Sequence, residues 1–147
     1  MSGIILKISA EINPTESEEK LRTALFGLFE DVRFERVRNN LSGTSESSQD
    51  LEKLRAKIFE KRIIDTVRSR LFRNSAGTQT TILLHKQALA AGRIAVVDLP
   101  DESPLGAVEL SVSAPSSEEL ENFINWFSPE TREGVVVSIE GKEKDRY

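Results

Sequence analysis

The sequence predicts an α+β domain of two layers, a mostly antiparallel sheet with helices packed on one face. Three observations lead there. Several segments alternate apolar and polar residues with a period of two, other segments carry apolar stripes at helical spacing, and most strand candidates have one apolar face only. With 147 residues, 38% hydrophobic and 30% charged, the chain suits a single globular domain. That domain is expected over residues 1–140, with 141–147 (GKEKDRY) as a solvated tail.

The elements follow in order. Ile4, Leu6, Ile8, Ala10 and Ile12 alternate with Ile5, Lys7, Ser9 and Glu11, which predicts a strand ended by Asn13-Pro14. Thr15 and Glu18 have capping-box spacing, and Leu21, Ala24, Leu25, Leu28 and Phe29 trace one face of the helix that follows. A short strand is expected over residues 32–36, then a mobile polar loop, NNLSGTSESS. From Asp50 to Asn74 there is neither glycine nor proline, yet the phase of the apolar residues changes. Leu51, Leu54 and Ile58 make one face, while Ile63, Ile64, Val67 and Leu71 make another, turned by roughly 160° at 100° per residue. One straight helix would leave one face in water, so a break is expected near residues 59–61.

Thr80 to His85 then read as a strand, KQALAAG as a short helix closed by Gly92, and Ile94 to Val97 as a further strand. Val108, Leu110 and Val112 alternate with Glu109, Ser111 and Ser113. Ser116 and Glu119 open a helix that buries Leu120, Phe123, Ile124 and Phe127. Val135, Val137 and Ile139 suggest a last strand.

Charge is unevenly spread. The net is −4, but residues 48–75 hold 8 basic and 4 acidic side chains against 6 and 12 in residues 76–147. A basic island in an acidic chain fits a polyanion met at one place rather than a general nucleic-acid coat. No cysteine is present, which excludes disulfides and thiolate chemistry and fits a cytoplasmic location. No apolar run is long enough to cross a bilayer, and the first residues lack the pattern of a secretory leader. No membrane association is therefore expected.

Catalysis is not expected either. His85 is the one histidine, so a paired-histidine metal site is impossible. No nucleophile elbow, phosphate loop or dinucleotide glycine pattern occurs. The carboxylates cluster in first helical turns and in a turn near Asp98, where solvation or dipole complementarity accounts for them. No catalytic residue, metal or cofactor is assigned, and a small hydrolase built on His85 is the reading set aside.

The binding candidates are cationic. Arg62, Arg68, Arg70 and Arg73 lie on the second of the paired helices, and an arginine fork suits phosphate oxygens. The bland alternative is a charged outer face paired with Asp65, Glu60 and neighbouring elements. Lys86 and Gln87 form a polar corner beside His85, at a strand end where a helix begins. No exposed aromatic residue stands out as a platform for bases.

Four blocks, NPTESEEKL, EKRIIDTVRSRL, LLHKQALAAG and SPLGAVELSV, resemble in order and spacing an archaeal family of uncharacterised proteins labelled RNA-binding or exosome-associated. The resemblance implies a fold similar to ribosomal protein L5. It places Arg62, Asp65 and Arg68 on the family's arginine-bearing helix, Lys86-Gln87 on its KQ pair, and Pro104-Leu105-Gly106 on its PLG turn. Asparagine is commoner in the family at position 85, and proline at 107. The expectation is a non-catalytic RNA-binding protein contacting phosphates through Arg62, Arg68, Arg70, Arg73, Lys86 and Gln87. The alternative is a homodimeric interaction module, suggested by apolar residues 135–139 and Trp126.

Overall fold

The computed structural model describes residues 3–102, 105–132 and 135–136. Its main sheet has six strands, all pairs antiparallel, in the order β2-β3-β1-β6-β4-β5. The strands are β1 (Ile5–Glu11), β2 (Glu35–Val37), β3 (Asn40–Ser45), β4 (Gln79–His85), β5 (Val96–Val97) and β6 (Ala107–Ser113). The helices are α1 (Glu18–Leu28), α2 (Glu52–Lys61), α3 (Ile64–Arg73), α4 (Lys86–Ala90) and α5 (Ser117–Phe127). A separate hairpin joins β7 (Thr131–Arg132) to β8 (Val135–Val136).

Period-two alternation does the sorting. Leu6, Ile8, Leu41, Ile82, Leu84, Val108, Leu110 and Val112 are buried in one core with the apolar stripes of the helices. Their neighbours Lys7, Glu11, Asn40, Thr44 and Glu109 are exposed on the opposite face, which no helix covers. The two-layer α+β architecture is therefore as expected.

Two local expectations are corrected. The stretch read as a mobile loop is β3, paired with β1 from Leu6↔Ser45 to Glu11↔Asn40. It escaped notice because its inward positions are Leu41, Gly43 and Ser45, too little apolar side chain to make an alternation. The missing bulk comes from elsewhere. A Cβ placed on Gly43 would lie 2.7 Å from Val32 Cγ1 and 2.8 Å from the Arg33 carbonyl, so residues 32–34 cross that spot. For the same reason β2 begins at Glu35, later than residue 32. The second correction is the cap of α1, which is Ser17 rather than Thr15; Ser17 Oγ accepts from the Lys20 N–H at 3.2 Å.

The paired helices do separate where the apolar phase changes. α2 ends at Lys61, Arg62 adopts a left-handed backbone with φ 62°, and α3 restarts at Ile64. The Arg62 N–H is bonded to the Phe59 carbonyl at 3.1 Å and that of Ile63 to Ile58 at 3.2 Å, a Schellman-type end. Each helix then buries its own face, Leu54 and Ile58 on α2, Ile64, Val67 and Leu71 on α3. Of the strand expected over residues 135–139, positions 137 and 139 lie outside the described residues, as do the tail and Pro104.

Gly43 gives a sharp test of this packing. Substituting Gly43→Ala should cost about 1–3 kcal/mol of stability, the range for overpacking a filled site. Urea denaturation monitored by circular dichroism measures it, and an unchanged midpoint would contradict the crossing of Val32 over β3.

Candidate nucleic-acid interface

The positively charged side chains divide sharply into those the fold uses and those it leaves to solvent. Lys86 is in the first group. It is only 2% exposed, and its ammonium donates to the Glu11 carbonyl at 2.5 Å, the Leu105 carbonyl at 2.6 Å and Glu16 Oε1 at 3.1 Å. An ammonium has three N–H donors, so none remains for a ligand. Glu16 also accepts the Asn13 backbone N–H at 3.1 Å, and Asn13 Nδ2 donates to the Leu105 carbonyl at 2.7 Å. Three of the sequence blocks, around Asn13, Lys86 and Leu105, thus meet at one buried polar hub.

The arginines of α3 point in different directions. Arg68 donates to Asn125 Oδ1 and to the Ser128 carbonyl, both at 2.9 Å, and lies 4.9 Å over the Phe72 ring. It fastens α3 to α5. Arg70 and Arg73 both bind the carboxylate of Asp98, just beyond β5, Arg73 at 2.6 Å. Asp65 is bonded to Thr131, and Asp98, rather than Asp65 or Glu60, is the counter-charge of α3. Arg62 does not lie on the second helix as expected, because it is the left-handed residue that ends α2 before α3 begins at Ile64. A single anionic-ligand surface made of Lys86, Gln87, Arg62 and Arg68 is therefore not formed. Gln87 is exposed at the first turn of α4.

His85 has a structural task. Its Nδ1 accepts the Ala88 N–H at 3.1 Å, capping α4. An asparagine there would present Oδ1 at the same branch of the side chain, so the imidazole is not required for this task.

Arg55 also works inside the fold. It donates to the Trp126 carbonyl at 2.8 Å and sits 4.4 Å from the Phe59 centroid and 4.9 Å from that of Trp126. Burial pulls its guanidinium below the usual range, with nearby Glu52 opposing the effect. Trp126, considered earlier as a contact for a second copy, is thereby engaged within the chain.

What remains for solvent lies on α2 and its end. Lys53, Lys57 and Lys61 are spaced i, i+4, i+8 and form one stripe. Lys53 is paired with Glu30, just past the end of α1, at 3.0 Å, whereas Lys57, Lys61 and Arg62 have no carboxylate partner among the described residues. The opposite, open sheet face is a poor place for a polyanion. Its register rows carry one lysine, Lys7, opposite Thr44 and Ser111, against three carboxylates elsewhere in the rows, Glu11, Glu35 and Glu109, and no phenylalanine, tyrosine or tryptophan. Exposed aromatics do exist on the helical side, contrary to the sequence expectation. Phe26 is 61% and Phe72 37% exposed. Phe26 escaped notice because a phenylalanine beside an apolar stripe reads as core by composition.

Two measurements probe these assignments. Lys86→Met should lose about 3–5 kcal/mol by leaving buried acceptors and Glu16 unpaired, while Gln87→Ala should stay within about 0.5 kcal/mol. Denaturant titration of both variants compares them directly. The hydrogen bonds from Arg70 and then Arg73 hold the Asp98 carboxyl below the ordinary range. A depressed folded pKa gives stability that is present above the unfolded value and lost as pH falls through the folded one. Carboxyl NMR titration should therefore find Asp98 ionised in acid where a free aspartate is already protonated. Arg70→Gln should move its titration upward.

A family model described as RNA binding matches residues 6–114. The chain is 34% identical over 144 residues to the UPF0201 protein of Sulfurisphaera tokodaii, with 93% of this chain and 94% of that one covered. The UPF0201 protein of Methanosarcina acetivorans is likewise 34% identical, over 93% of this chain and 92% of that one. Among solved structures, the UPF0201 protein from Methanococcus jannaschii has the same fold, with a TM-score of 0.78 at 23% identity, covering 91% of this chain and 99% of that one. By sequence over nearly its whole length, and with a fold to match, this chain belongs to the archaeal UPF0201 family.

Proposed function

We propose that the protein binds RNA without catalysing a reaction on it, and that the C-terminal half of α2 and its cap supply the phosphate contacts. The observation that carries the reading is the match of residues 6–114 to a family model described as RNA binding. The charge geometry says which face to use. Among the described residues, Lys57, Lys61 and Arg62 are the cations of the basic island whose side chains meet no carboxylate, carbonyl or ring, whereas Lys53, Arg55, Arg68, Arg70 and Arg73, like Lys86, already serve the fold. His85 is occupied as a helix cap, which supports a binding role over a reaction built on that imidazole.

Arg62 adds a second line of support. A left-handed backbone is costly for any residue with a Cβ, and glycine or asparagine is the usual occupant of this cap position. Here the chain carries a guanidinium at that corner. Strained positions of this kind cluster at functional sites.

Titration of structured and single-stranded RNA at several salt concentrations tests the reading. Affinity should fall as salt rises, and Lys57→Gln, Lys61→Gln and Arg62→Gln should each lower the log–log slope by about 1. Arg62→Gly should separate the two roles of that residue, raising stability by about 1 kcal/mol while weakening RNA binding. No binding at about 50 mM salt, or binding indifferent to salt, would overturn the proposal.

A further inference from the structure

The helical layer contains a groove of about 410 Å³ between α1, α2, α4 and the segment 92–94. Pockets for small ligands run from roughly 300 to 1,000 Å³, so it is large enough for one nucleotide. Its floor is apolar, made by Ala24, Leu28, Leu89, Ala90 and Ile94. Lys20 of α1 and Lys57 of α2 stand on its lining, neither with a carboxylate partner among the described residues, and Glu19 is its single acidic member. The lining thus offers an apolar floor with two ammonium groups, the complement of a flat base carrying a phosphate.

Gly27 points to an occupant independently. It lies in the last turn of α1 and lines the groove, yet its backbone is not in the left-handed region, so no helix cap requires it. A Cβ added there would meet nothing within 4 Å, so packing does not require it either. Alanine would favour the helix. What Gly27 does provide is bare backbone and open space on the groove wall. One residue earlier, Phe26 is 61% exposed, and it shares a helical flank with Glu19 and Thr23, both of which line the groove.

We infer that this groove is a nucleotide site, in which one base lies on the floor beside Gly27, its phosphate is held by Lys20 and Lys57, and the neighbouring base of a strand stacks on Phe26. The inference rests on the RNA-binding reading and names the part of the RNA recognised, a single-stranded segment. Stacking on an exposed ring is the usual way unpaired bases are held, because every base has a π-face. The same chemistry would also accept a free nucleotide.

The test follows the methyl NMR signals of Leu28, Leu89 and Ile94 in the full chain while 5′-adenylate, and separately a short single-stranded oligoadenylate, is added. Both should shift these methyls, the oligonucleotide at lower concentration. Gly27→Leu should abolish the shifts without lowering the melting temperature. Phe26→Ala, a solvent-facing change, should weaken the oligonucleotide about tenfold and leave 5′-adenylate unaffected. If the oligonucleotide binds, by fluorescence anisotropy, while these methyls stay still, the groove is not the site and the RNA-binding reading survives. If 5′-adenylate shifts the methyls but no RNA binds, the groove serves free nucleotides and the RNA-binding reading falls. Silence of the methyls in both arms overturns the groove site, and the RNA-binding reading falls with it only if structured and single-stranded RNA also fail to bind in the salt titration.

Discussion

The buried ammonium of Lys86 is the constraint from which much of the molecule can be understood. Removing a charge from water is costly unless geometry and hydrogen bonds compensate it, and here one carboxylate and two carbonyls do so. Those partners come from the end of β1, the approach to α1 and the turn before β6, while Lys86 itself opens α4. The hub therefore fixes where α1 and α4 leave the sheet. Those two helices are walls of the groove in the helical layer, so an interaction wholly inside the protein sets the width of that groove.

The same division of labour runs through the other cations. Arginines tie elements together wherever several acceptors or a ring must be met at once. Arg55 joins α2 to α5, Arg68 joins α3 to α5, and Arg70 with Arg73 joins α3 to the segment after β5. The planar fork suits such work because it donates in fixed directions. Lys57 and Lys61, flexible and strongly hydrated, remain at the surface. A positive segment in the sequence is thus a poor guide to a positive surface, since half of it can be spent on holding the fold.

Much of the architecture was legible because the core is built from strict alternation and helical stripes. β1, β4, β6 and α5 announce themselves through residues such as Ile8, Leu84, Leu110 and Phe123. The break at Arg62 was legible from phase alone, to within a residue or two. β3 was not, since Gly43 lends its inward position to Val32, a residue from another segment. The site was less readable for a related reason. That Lys86 is buried, and that Arg70 and Arg73 share Asp98, depends on contacts across tens of residues that no local pattern encodes. The family blocks did mark an important place, though what they marked was the hub.

The sheet's two outermost strands bear on how these molecules meet one another. β2 has three residues and β5 only two, while the longer strands lie between them. An outer strand exposes unpaired amides and carbonyls that invite another chain to continue the ladder, and short outer strands offer little to grip. Arg36, in the middle of β2, adds a charge there and is tied to Glu18 at 2.7 Å. The molecule is thereby guarded against edge-to-edge growth of its sheet into fibres.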